Sequence, residues 1–442
     1  MTGSVPNSPG IESIINISTA LDKQTPCVQR FSKECCGERM KVLLSAYACE
    51  PNKGSEQEIG WQRVLHMPPY ADEVWVITRA NNQEVIEADP QSHVPGLNFI
   101  YYDLPAWLIK LKKNLSWFLS TYIFLWQWGA YRVAARHHRT KRFDMVYHVT
   151  FTGMISGSFM SKLGIPLVVG PIAGGERAPF PIRRNMPFRF RLIEFIRDIG
   201  IVVQRYSPII CPALAAAERI YVTTPESLSL VQSRWHHKTQ VQLSVGSCAQ
   251  TAGPSQERPA PPPRFIFAGR LLHWKGIHFA IRALADARAT VPDAKLTIVG
   301  KGPAEAWLRA VAKKSGVSDA VDFAGHVPRP QLIDSLAGYK AMVFPSLHDS
   351  GGLVVLEAFW NGLPVICLDL GGPGVMVNAT SGVVVPTTNA DDSQAVKGIA
   401  QAMVSLARMT PGEYTELSAG AVARANELSW AALTARVVQS SS

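Results

Sequence analysis

Five short apolar runs between residues 264 and 369 constrain the fold more than any other feature of the chain: RFIFAG, KLTIVG, VDFAG, AMVFPS and PVICLD. Each is too short for a stable helix and ends at Gly, Ser or Asp. Apolar runs without polar alternation are strands buried on both faces, and such strands form parallel sheets covered by helices. The intervening stretches, beginning near Ile277, Ala304, Arg329 and Leu353, have helical length, so the segment predicts a doubly wound α/β domain.

The same alternation occurs upstream. KVLLSAY, from Lys41, reads as a buried strand leading through a Gly-containing turn (Pro51 to Ser55) into a helix near Glu56. Strand-like runs follow at Val74–Thr78, Leu97–Tyr102, Met145–Thr150, Leu167–Gly170 and Ile220–Thr223. Between the two series lies TAGPSQERPAPPP, whose five prolines suit neither a central strand nor a helix. The expected organisation is therefore a polar, disordered extension over 1–39, a first Rossmann-like domain over 40–250, a stiff linker over 251–263, a second Rossmann-like domain over 264–428, and a helix and tail over 429–442. A chain of 442 residues is long enough for two such cores.

Seven scattered cysteines without a CxxC pair argue against a disulfide framework or zinc site and predict a reducing compartment. The N-terminus has no basic region followed by an unbroken apolar stretch, so a cytoplasmic location is expected. The net charge of +10 fits nucleic acid, an anionic membrane or a phosphorylated small molecule, but no nucleic-acid module is recognisable and no such partner is expected. The longest apolar run, 115–130, is too short to span a bilayer. Lys110, Lys112 and Lys113 precede it, and Arg132, Arg136, Arg139, Lys141 and Arg142 follow. Two readings fit this pattern: a buried helix with solvated basic ends, or a helix lying on anionic lipid at the inner face of the cytoplasmic membrane.

In open α/β sheets ligands bind beyond the carboxyl ends of the strands. After RFIFAG come Arg270 and, five residues on, Lys275-Gly276, two cations near a helix start that suit a diphosphate. After KLTIVG the turn Lys301-Gly302-Pro303 permits close backbone approach but lacks the third glycine of a dinucleotide fingerprint. After AMVFPS, Asp349-Ser350-Gly351-Gly352-Leu353-Val354 leads into a helix carrying Glu357. Gly351 and Gly352 leave helix-start amides open to a phosphate or sugar hydroxyl, and the two carboxylates suit hydroxyl recognition.

These residues resemble glycosyltransferase family 4. Its signature is an acidic residue and a glutamate eight positions on, here Asp349 and Glu357, preceded by Gly-Arg-Leu (Gly269-Arg270-Leu271) and Lys-Gly (Lys275-Gly276). Asp349 stands where that family more often has Glu. The resemblance implies a GT-B fold, two Rossmann-like domains facing each other across a cleft, and retaining transfer from a nucleotide-sugar donor to a glycan or lipid-linked acceptor. It further implies that Arg270 and Lys275 hold the diphosphate, that Glu357 binds the ribose, and that Asp349 with the backbone of Gly351 to Val354 meets the transferred sugar. His326 and Val327 would meet the nucleobase. In the first domain the likeness runs through Ala48-Cys49-Glu50-Pro51 with Gly54-Ser55-Glu56, through His148-Val149-Thr150 and through Gly170 to Glu176. It assigns the diphosphate-closing loop to Gly54 and Ser55, the residue facing the reacting sugar to His148, and the acceptor pocket to Gly174, Gly175 and Glu176. No cofactor or metal is expected, because cations and a helix dipole stand where leaving-group charge builds and the sequence has no Asp-x-Asp motif. A donor-binding protein without turnover, or a sugar epimerase of the same fold, would use the same second domain.

Overall fold

The computed structural model describes residues 40–51, 53, 55–115, 118–150, 157–247 and 261–439. The expectations for 1–39, for Gly54 and for most of the linker lie outside the described residues.

The first sheet has seven parallel strands in the order β3-β2-β1-β4-β5-β6-β7: Lys41–Ser45, Glu73–Arg79, Leu97–Tyr102, Met145–His148, Leu167–Ile172, Arg219–Val222 and Thr239–Val241 for β1 to β7. The order reverses between β1 and β4, which register Ser45 against His148 and leave a crevice at their carboxyl ends. β7 was not expected: its residues Thr239, Gln240 and Val241 are polar or exposed because it closes the sheet edge.

The second sheet has six parallel strands in the order β10-β9-β8-β11-β12-β13: Arg264–Ala268, Lys295–Val299, Val321–Gly325, Ala341–Phe344, Val365–Leu368 and Gly382–Val385 for β8 to β13. The five expected strands are all present, and β13 adds a sixth. Its reversal lies between β8 and β11, so the loops after these two strands, which carry Arg270 and Asp349, are neighbours. Helices Ile277–Arg288 and Asp392–Arg408 cover one face. The latter opens with a capping box in which Asp391 and Gln394 satisfy each other's backbone amides.

Helix Leu119–Lys141 spans most of the basic-aromatic segment. Tyr122, Ile123, Trp126, Ala130 and Ala134 recur at three- and four-residue spacing and are buried in the first domain's core. Trp126 donates its indole N–H to the Tyr102 carbonyl at 2.9 Å. The helix is a core element with basic ends. No helix among the described residues is long and apolar enough to cross a membrane.

The domains are tied by more than the linker. Ser247 donates its amide to Leu428 O at 2.9 Å, and Trp430 donates to Ser247 O at 3.1 Å. Helix Trp430–Gln439 therefore starts against the first domain, where the Arg63 guanidinium lies 5.5 Å from the buried Trp430 ring. From the first domain, helix Phe188–Arg205 stacks Phe190 on His273 at 4.4 Å between ring centroids. Its Glu194 accepts from His273 Nε2 at 3.0 Å and from His348 Nε2 at 2.9 Å.

Candidate active site

The carboxyl ends of both sheets open on one cavity of about 1000 Å³. That volume lies at the upper end of those typical of small-molecule sites. The second domain contributes most of its wall, and the chemistry is concentrated there.

Gly276 explains how that wall is assembled. It adopts φ +68°, and a Cβ on it would lie 1.9 Å from Pro345 O, so only glycine lets the loop after β8 lie directly on the loop after β11. Leu347 N donating to Trp274 O at 2.8 Å fastens the two loops. The contact brings Lys275 beside Asp349, and their side chains form an ion pair. The Lys275 ammonium also lies 5.1 Å from the Phe344 ring, an additional cation–π contact. Arg270 lines the same wall and has no ion pair among the described residues.

Beyond Asp349 the backbone turns through Ser350, Gly351 and Gly352 into helix Leu353–Trp360. Gly352, the N-cap, sits at φ +129° with no side chain over the helix mouth. Gly351, Gly352, Leu353 and Val354 line the cavity, so free helix-start amides and the positive end of the helix dipole face it. One turn in, Glu357 also lines the cavity and accepts from Arg329 Nε at 2.6 Å. The Arg329 side chain is 71% exposed, so a ligand hydroxyl can displace it from Glu357 at small cost. His326, exposed, and Val327, half-buried, follow β10 on the same wall.

Of the expected second-domain residues, Gly269, Arg270, Lys275, His326, Val327, Asp349, Gly351, Gly352, Leu353, Val354 and Glu357 all lie on this one cavity. Gly302 does not. A Cβ there would meet Leu271 O at 2.4 Å, so it supports the loop after β8 from behind. Two cations were not identified as ligands from the sequence: Lys301, which follows β9, and Arg329. Lys301 stands two residues after its strand, as Arg270 does, so its signal was available; Arg329 opens helix Arg329–Ser335, four residues after β10, and had no such signal.

The first-domain wall departs further from expectation. It presents Glu56, Ile59, Ser120, Ile123, Val149 and Ala173. Ser55 begins the helix Ser55–Leu65, next to Glu56. His148 ends β4 and is 1% exposed, one residue short of the cavity-lining Val149, with neither ring nitrogen hydrogen-bonded among the described residues. Gly174, Gly175 and Glu176 lie off the cavity lining. Glu176 is buried and its carboxylate is consumed internally, accepting from Ser227 Oγ at 2.9 Å, Thr223 Oγ1 at 3.0 Å and Gly174 N at 3.0 Å. The Gly-Gly-Glu segment thus braces the loop after β5, and Pro171 and Ala173 supply the surface.

Burial pushes the His148 imidazole down to about 4, and burial, followed by the nearby charge of Arg282, takes His278 to about 3. Both are neutral at neutral pH. Because their folded values are depressed, the stability they contribute is present above the unfolded value of about 6.5 and is lost as pH falls toward 4. The loss for His148 alone is expected to be on the order of 3 kcal/mol. Denaturant melts between about pH 7 and pH 4 should show this decline, with a shallower slope in His278→Leu; parallel slopes would contradict it.

Two parallel, doubly wound domains whose carboxyl edges enclose a cation-rich, acid-flanked cavity define the GT-B fold. Solved structures share it: the lipopolysaccharide outer core galactosyltransferase WaaB superposes with a TM-score of 0.55 at 13% identity, covering 91% of this chain and 99% of that one. Anabaena Alr3699/HepE in complex with UDP superposes with a TM-score of 0.53 at 16% identity, covering 90% and 98%. Residues 250–407 match the family model "Glycosyl transferases group 1". Among curated relatives, glycogen synthase of Mycobacterium tuberculosis is 39% identical over 123 residues, 28% of this chain and 30% of that one. The D-inositol 3-phosphate glycosyltransferase of Acidothermus cellulolyticus is 35% identical over 176 residues, 37% of each chain. The chain thus spans about a third of the length of these relatives.

Proposed function

We propose that the protein is a retaining glycosyltransferase that moves a sugar from a nucleotide-sugar donor to a glycan or lipid-linked saccharide acceptor. One observation carries this reading: Arg270, Lys275, the amides at Gly351 to Val354, and the two acids Asp349 and Glu357 converge on a single cavity. Arg270 and Lys275 bind the diphosphate, and with the dipole of helix Leu353–Trp360 they stabilise the charge that builds on it as the sugar–phosphate bond breaks. Lys275 exchanges its present partner, Asp349, for the diphosphate, which frees Asp349 to accept from the transferred sugar's hydroxyls. Glu357 takes the ribose hydroxyls in place of Arg329. The backbone near His326 and Val327 meets the nucleobase.

The acceptor enters along the first-domain wall and attacks from the face the diphosphate leaves, so the anomeric configuration is kept. His148 stands at the strand end behind that wall. Among bases, uracil is the first to examine, since a relative in Streptococcus gordonii is named for UDP-N-acetylglucosamine and the HepE structure holds UDP.

The reading is tested by following nucleotide diphosphate release from a panel of nucleotide sugars with and without saccharide acceptors, with the product's anomeric configuration assigned by NMR. Acceptor-dependent release with retention is expected. Binding without release would favour a donor-binding protein, and conversion of the donor sugar without acceptor would favour an epimerase. Because protein cations carry the leaving-group charge, turnover is expected to be unchanged by a chelator. Activity lost to chelation and restored by a divalent ion would contradict that assignment.

A further inference from the structure

Helix Phe188–Arg205 is amphipathic in the opposite sense from a core helix. Phe188, Leu192, Phe195, Ile196, Ile199 and Val203 fall at three- and four-residue spacing, and all face solvent. Phe188 is 75% exposed, Phe195 61% and Val203 66%. The inward face carries Glu194, Arg197 and Gln204 beside Phe190 and Ile201. Two of these polar groups are committed: Glu194 to His273 and His348, and Arg197 to the carbonyls of Glu176 and Gly174. The helix is therefore locked in this orientation, with its apolar stripe outward. Its 18 residues give a stripe about 27 Å long. Phe180 before it and Tyr206 and Ile209 after it are exposed as well. A contiguous apolar patch of this length marks an interaction surface.

Charge identifies the partner. Residues 180–209 contain six arginines and two acids, Glu194 and Asp198. Both acids are engaged: Glu194 is buried, and Asp198, 23% exposed, pairs with Arg183 at 2.8 Å. Arg184, Arg189 and Arg191 are exposed and have no acidic partner among the described residues. The rim of the stripe is thus positive only. Phenylalanine and isoleucine flanked by arginines are the groups an interfacial helix places in the acyl boundary and among anionic headgroups. A second copy of this chain would bring one arginine rim against another, because a two-fold interface pairs a patch with itself.

We propose that helix Phe188–Arg205 docks the protein on an anionic lipid surface, with the Phe188–Val203 stripe entering the acyl boundary and Arg184, Arg189 and Arg191 meeting the headgroups. This does not depend on what the cavity binds, and it moves the expected lipid contact from the 110–142 segment to this helix.

Flotation of the full chain with phosphatidylcholine vesicles, with and without phosphatidylglycerol, tests the proposal. Binding is expected to the phosphatidylglycerol vesicles and to weaken with salt. A Phe195→Asp/Val203→Asp variant should lose binding by at least about ten-fold, as should Arg189→Glu/Arg191→Glu, while melting as the parent does. Arg132→Glu/Arg136→Glu, on the core helix Leu119–Lys141, should bind within about two-fold of the parent. If the apolar variant fails to fold, the arginine variant alone decides. The proposal is overturned by absent vesicle binding, by binding indifferent to both stripe and rim variants, or by light scattering that shows a dimer dispersed by Phe195→Asp/Val203→Asp.

Discussion

Lys275→Ala is expected to lower kcat/KM for sugar transfer by about 10²- to 10³-fold, about 3–4 kcal/mol of transition-state stabilisation. The effect is large because the ammonium is not an ordinary surface charge. It is held by the Gly276 turn against Pro345, flanked by Phe344, and paired with Asp349 in a recess where solvent screens it weakly. Removing it also leaves Asp349 without its counter-charge at the point where a diphosphate must sit, so anion binding suffers twice. Lys301→Ala, whose side chain is exposed on the same wall, is expected to cost less than about ten-fold. Steady-state kinetics on both variants check this. Equal effects for the two lysines would show that the wall acts through its net charge and not through a placed ammonium.

Glu194→Ala is expected to destabilise the fold by about 3 kcal/mol, because it leaves the His273 and His348 N–H groups without their common acceptor and removes the counter-charge near Arg183. Burial pushes the Glu194 carboxyl up, yet the hydrogen bonds from His273 and His348 outweigh it and hold the group well below the usual carboxylate range. With the folded value depressed, the stabilisation is complete above the ordinary glutamate value of about 4.3 and is lost only as pH falls through the lower folded value. Denaturation near neutral pH therefore reads the full effect. Glu194→Gln, which keeps an acceptor oxygen without the charge, should fall between parent and alanine. A midpoint shift within about 0.5 kcal/mol for alanine would mean that the two domains are held together elsewhere.

The buried parallel strands were legible because burial on both faces leaves an unbroken apolar run, and RFIFAG or AMVFPS can be little else. β13 was missed although three valines between Gly382 and Pro386 carry the same signal. β7 was not legible, since an exposed edge strand carries no such run. Residues after the strands of the second domain were found by position, so Arg270, Lys275, Asp349 and Glu357 were singled out together. On the first-domain wall Glu56 and Val149 sit inside the quoted motifs, one residue from the Ser55 and His148 that were singled out, while Ser120 belongs to no motif. Gly174 to Glu176, which the family likeness assigned to the acceptor pocket, lie off the cavity lining, and Thr223 and Ser227, about fifty residues on, occupy the Glu176 carboxylate. The helix Phe188–Arg205 shows a complementary limit. Periodicity establishes that a helix has two faces, and only the fold decides which one turns inward.

The account turns on whether the wall from Arg270 to Glu357 binds a nucleotide sugar, and thermal denaturation with and without such ligands measures that directly. A nucleotide sugar or nucleoside diphosphate at about 100 times its dissociation constant should stabilise the protein by about 2.7 kcal/mol, and the shift should vanish in Arg270→Ala and Lys275→Ala. No shift with any nucleotide sugar, or an equal shift in the two variants, would contradict it.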